Sequence, residues 1–75
     1  MNNKRQVYIN DLLQRYKEAF FKANRKTVES DYNLVYENGW FIFYDLFFSK
    51  GAKYRAKKME EMILTLEKRE RQILY

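Results

Sequence analysis

Asn38-Gly39 stands between two runs of large apolar side chains, in DYNLVYENGWFIFYDLFF over residues 31–48. Asn-Gly is the strongest short signal for a β-hairpin, because both central residues of a type I′ turn take positive φ. A two-residue turn also fixes the register. Glu37 falls opposite Trp40, Tyr36 opposite Phe41, Val35 opposite Ile42 and Leu34 opposite Phe43. With side chains alternating, Tyr32, Leu34, Tyr36, Phe41 and Phe43 share one face. Val35, Trp40, Ile42 and Tyr44 share the other, with Asn33 and Glu37. Both faces of the predicted hairpin are therefore largely apolar.

The flanks read as helices. Over residues 4–24, Ile9, Leu12, Leu13, Tyr16, Phe20 and Ala23 follow the i, i+3, i+4 rhythm of an amphipathic helix, with Val7 and Phe21 off the stripe. Asn3 is placed to cap the start, with Gln6 at the capping-box position, and Asn24 to end the helix in the left-handed conformation. A connection follows over residues 25–31, RKTVESD. Beyond residues 45–51, which either extend the second strand or bridge to the next element, Ala56, Met59, Met62, Ile63, Leu66 and Ile73 mark a second helix over 52–73. Glu18 with Lys22, and Glu67 with Arg71, are favourably oriented i, i+4 pairs. The expected fold is α+β, a single domain of helix, β-hairpin and helix (αββα) with the hairpin over 32–44 and both helices packed on one of its faces. A wholly helical chain is the alternative, since continuous apolar runs do not separate buried helix from buried strand, and Asn38-Gly39 argues against it.

Composition narrows the chemistry. A chain of 75 residues without Cys or His has no disulfide framework and none of the usual zinc ligands. It also lacks the commonest general base and the thiol nucleophile. Glu60 and Glu61 are adjacent on a helix and diverge, whereas Asp31 and Asp45 flank the hairpin, either as solvated strand ends or as ligands for a divalent cation. No phosphate loop, dinucleotide fingerprint or EF-hand pattern occurs. The expectation is a protein that is not an enzyme and needs no cofactor or metal. The longest apolar run, Trp40 to Tyr44, is five residues, far short of the ~20 that span a bilayer. With no signal-peptide pattern at the N-terminus, a soluble cytoplasmic protein is expected. Richness in Asn, Lys, Ile, Tyr and Phe is typical of AT-rich coding genomes, and a short chain of this kind suits a phage or mobile element.

Two candidate sites emerge. In SKGAKYRAKK, residues 49–58, the cations Lys50, Lys53, Arg55, Lys57 and Lys58 gather where the second helix is expected to begin. The helix dipole disfavours cations there, so the cluster reads as a site for an anion or for nucleic-acid phosphates. The plainer reading is a solvated run paired with Glu60 and Glu61. The second candidate is the outer hairpin face, Val35, Trp40, Ile42 and Tyr44. Left open, it is a protein interface for a partner or a second copy. Alternatively, Leu46, Phe47, Phe48 or the segment around Val28 folds over it.

The function expected first is a small binding or regulatory protein, forming a homodimer or modulating a larger protein. The alternative is a basic nucleic-acid-binding regulator that uses the lysine-rich stretch. The net charge of +5 is compatible with either. Membrane attachment is disfavoured, because charges and aromatics do not segregate along one helix.

Overall fold

The computed structural model describes residues 3–47 and 51–73, with side chains over 4–47 and 51–69. In chain order these form α1 (Asn3–Asn24), a 3-10 turn (Val28–Ser30), β1 (Tyr32–Glu37), β2 (Trp40–Asp45), β3 (Gly51–Tyr54) and α2 (Ala56–Ile73). The α+β class and the helix, hairpin, helix order are as the sequence predicts. Asn38 and Gly39 take φ of 51° and 83°, the positive values a type I′ turn requires. The register is the expected one, from Glu37 opposite Trp40 to Leu34 opposite Phe43.

A third strand corrects the sequence reading. Residues 51–54 add to the free edge of β2 in an antiparallel sheet of order β1-β2-β3, so the second helix begins at Ala56 instead of near Ala52. The physical reason lies in β2. Its unbroken run from Trp40 to Tyr44 is apolar toward both faces, the pattern of a central strand that is paired on both sides and covered above and below. Gly51, Ala52, Lys53 and Tyr54 alternate with a period of two, which is compatible with a strand and poor for a helix start.

Both helices lie on the face carrying Leu34, Phe41 and Phe43. These residues join Ile9, Leu12, Tyr16, Ala19, Phe20 and Ala23 of α1 and Met59, Ile63 and Leu66 of α2 in one core. Val28, from the 3-10 turn, also enters that core and is 1% exposed. Aromatic edges set much of the packing. Tyr36 meets Phe41 at 4.8 Å between ring centroids, and Tyr16 meets Phe43 at 5.0 Å. Val7 and Phe21, off the predicted stripe, are exposed.

The end of α1 differs in detail from expectation. Arg25, not Asn24, takes the left-handed conformation, with φ 60°, and its N–H donates to the Phe21 carbonyl at 2.7 Å. Asn24 instead turns its side-chain amide back to the Phe20 carbonyl at 3.1 Å, so both residues satisfy helix-end acceptors. Glu18 accepts from the Gln14 amide at 3.2 Å instead of pairing with Lys22, and Gln6 donates to Asn10 at 3.0 Å instead of reaching back to a cap. The side chains of Asn3, Arg71 and Ile73 lie outside the described residues, as does Phe48. No helix among the described residues is long and apolar enough to cross a membrane.

Candidate functional site

The outer face of the sheet carries Val35 and Glu37 from β1, Trp40, Ile42 and Tyr44 from β2, and Gly51 and Lys53 from β3. Arg55 follows β3 directly and, by continuation of the register, comes to lie beside Trp40. Its guanidinium carbon sits 3.7 Å from the Trp40 ring centroid, and Nη1 donates to the Gly39 carbonyl at 2.8 Å. The turn and the stack thus hold one another. Lys53 Nζ lies 5.8 Å from the same ring. A cation over the face of an indole is attracted by the ring quadrupole, and arginine also stacks flat against it.

This arrangement answers whether the four apolar residues of the outer face are covered. Ile42 is buried, Val35 and Trp40 are half-buried, and Tyr44 is 43% exposed. Of the segments that the sequence offered as an alternative cover, Phe48 lies outside the described residues. Leu46 and Phe47 are themselves exposed, and Val28 belongs to the opposite face. Instead Tyr44 donates to the Glu37 carboxylate at 3.4 Å. Because Tyr44 pairs with Asn33, four residues from Glu37 along β1, its ring must lie along the sheet above Val35 and Ile42. Gly51 lies beside that ring, where a Cβ would sit 3.4 Å from Tyr44, in ordinary contact.

The basic cluster is divided by the third strand. Lys53 and Arg55 join the outer sheet face, whereas Lys57 and Lys58 lie in the first turn of α2, and Lys50 lies outside the described residues. The helix-start site expected for all five cations is therefore split. None of the ion pairs among the described residues joins Lys57 or Lys58 to Glu60 or Glu61. Glu60 instead faces Tyr8 of α1, whose pKa is raised by desolvation and by this carboxylate. What the sequence separated into an aromatic patch and a basic run becomes, in part, one surface.

Asp31 and Asp45, the carboxylates that flank the hairpin, each have a protein partner. Asp31 is paired with Lys26 at 2.7 Å, and Asp45 Oδ1 accepts from the Phe47 N–H at 2.8 Å. Among the described residues no group of three or more acidic side chains converges.

A feature that the sequence reading missed lies on the helix side. Phe43 is met near-perpendicularly by Tyr16, Tyr32 and Tyr54. These residues come from α1, β1 and β3, so only the assembled fold brings them together. Burial, with Tyr32 and Tyr54 close by, raises the Tyr16 pKa. Comparison with known proteins finds no matching family model, no matching curated protein and no matching solved structure.

Proposed function

We propose that the chain is a small non-enzymatic binding protein that docks, through the outer sheet face, on an acidic surface of a larger protein and modulates it. The observation that supports this reading is the Arg55 guanidinium stacked 3.7 Å from the Trp40 ring, with Lys53 and Tyr44 on the same face. Trp, Tyr and Arg dominate interface hot spots because they combine large contact area with a polar handle. Here the stack orders Trp40 and Arg55 before any partner arrives, which lowers the entropy lost on docking. The basic bias of the chain, +5, favours an acidic partner over a second copy. In this reading the protein works in the cytoplasm, that of the host if a phage or mobile element encodes it.

Affinity purification from the native host, with and without nuclease, tests the proposal. A defined protein should remain bound after nuclease, leave with rising salt, and be lost with Trp40→Ala. Retention by the Trp40→Ala variant, or recovery only with nucleic acid present, overturns it.

A nucleic-acid-binding regulator is the second reading. It is favoured by Lys53 and Arg55 sharing a sheet face with Trp40 and Tyr44, a combination suited to phosphates and unstacked bases. Changing Lys53, Lys57 and Lys58 to Gln should then weaken binding and flatten its salt dependence by about one unit of slope per lost phosphate contact. An unchanged affinity and slope would assign these lysines to solubility.

A further inference from the structure

A cleft of about 490 Å³ opens on the helix side of the sheet, opposite the Trp40 face. Phe43 is among its lining residues, and Tyr16, Tyr32 and Tyr54 meet that ring at 5.0, 5.8 and 5.7 Å with interplanar angles of 68°, 88° and 73°. Rings at these distances pack edge to face directly on one another, and all four are among the residues that line the cleft. Asn24, Asp45 and Arg69 add polar groups to the lining. Arg69 Nη1 donates to Asn24 Oδ1 at 3.4 Å, which positions the guanidinium at the cleft.

Tyr16 distinguishes this cleft from loose packing. The residue is only 9% exposed, and its hydroxyl has no hydrogen-bond partner among the described residues. Yet among the described residues no fully enclosed side-chain oxygen or nitrogen lacks a partner. The hydroxyl is therefore not sealed in the core, and Tyr16 is among the residues that line the cleft.

The charges limit what fits. Asp45 and Arg69 line the same space, so an anion meets a carboxylate there and a cation meets a guanidinium. A flat, neutral ring whose edge carries both donors and acceptors conflicts with neither, and its faces suit aromatic walls. The volume lies within the ordinary range of small-molecule sites. We propose that this cleft binds a neutral heteroaromatic ring of nucleobase size, laid against the lining formed by Tyr16, Tyr32, Phe43 and Tyr54 and held at its edge by the Tyr16 hydroxyl and Arg69.

The test is an NMR titration of the full chain with guanosine and, separately, uridine. Saturable shifts at Tyr16, Phe43 and Tyr54 with at least one nucleoside are expected, with a ring-current shift of the Met62 methyl and an unmoved Trp40 indole. Arg69→Gln, at an exposed position whose folding the amide spectrum checks, should weaken binding about tenfold, as loss of a charged hydrogen bond does. No saturable shift with either nucleoside at millimolar concentration overturns the proposal. So do shifts centred on Trp40 and Tyr44, or unchanged binding by Arg69→Gln. Failure here leaves the outer-face reading standing, and the reverse holds, because the two sites lie on opposite sides of the sheet.

Discussion

Phe41 and Ile42 are neighbours in β2, point to opposite faces of the sheet, and are both buried, at 1% and 7% exposure. They are buried in different ways. Phe41 lies under two helices, against apolar side chains contributed by segments far apart in sequence. Ile42 lies under no helix; Tyr44, reaching across to Glu37, and the β3 residues beside it lie on its face. Long polar residues cover apolar surface with their stems while their heads stay in water. A face closed in this way keeps its charge and its aromatic edges outward. Similar burial can therefore mean a core on one side of a strand and a binding surface on the other.

The largest effect should come from the helix side. Phe41→Ala is expected to cost about 3–5 kcal/mol, enough to unfold a domain of this size, because its rigid surroundings leave a cavity. Ile42→Ala should stay near the lower end of about 2–5 kcal/mol, since Tyr44 and Lys53 are free to settle into the space. Urea denaturation of both variants measures the difference. Equal losses would mean that the outer face is as rigidly packed as the inner one.

Gly39→Val tests what holds the outer cover in place. A β-branched residue at φ 83° is strained, and its Cβ would come 2.8 Å from Arg55 Nη1. A loss of about 2 kcal/mol is expected, together with a change in Trp40 fluorescence as the Arg55 stack is displaced. A stability loss with unaltered fluorescence would show that the turn and the stack are independent. Trp40→Ala follows with a smaller effect, about 1–2 kcal/mol for a half-buried ring. Thermal melts with sedimentation should show a folded variant, and a fully unfolded one would make Trp40 part of the core.

The division between the faces was legible in the sequence because two short-range facts determine it. Asn38-Gly39 fixes the register, and alternation then assigns each side chain to a face. What covers each face was less legible. The inner face could be matched to the helix stripes, whose Ile9, Leu12, Met59 and Ile63 recur at helical spacing. The outer cover depends on a four-residue strand whose Lys53 and Arg55 read locally as a charge run. Its strand character is set by the bare edge of β2, a tertiary cause that overrides the local pattern. The apolar run from Trp40 to Tyr44 carried the available signal, since only a central strand needs both faces apolar. The tyrosines around Phe43 left no such trace, because their convergence depends on where α1, β1 and β3 meet.

The smallest effect separates the two covers by pH. On the helix side, Val28 is fixed in the core next to Glu29, whose carboxylate pairs with Lys17 of α1 at 3.2 Å. That hydrogen-bonded lysine lowers the Glu29 pKa from its ordinary 4.5. A depressed carboxylate pKa gives stability that is fully present above the unfolded value and is lost as pH falls through the folded one. The pair is solvent-exposed, so the contribution should not exceed about 0.5–1 kcal/mol. Acid also increases the repulsion among the cations everywhere, and comparison with Glu29→Gln removes that background. The difference in Tm between wild type and Glu29→Gln should be present at pH 7 and close as the pH is lowered below 4.5. On the outer face the Arg55–Trp40 stack is a cation–ring contact that involves no carboxylate. The difference between wild type and Trp40→Ala should therefore persist over the same interval. If it closes in step with the Glu29 difference, the two covers are coupled through the sheet, and the faces do not respond separately.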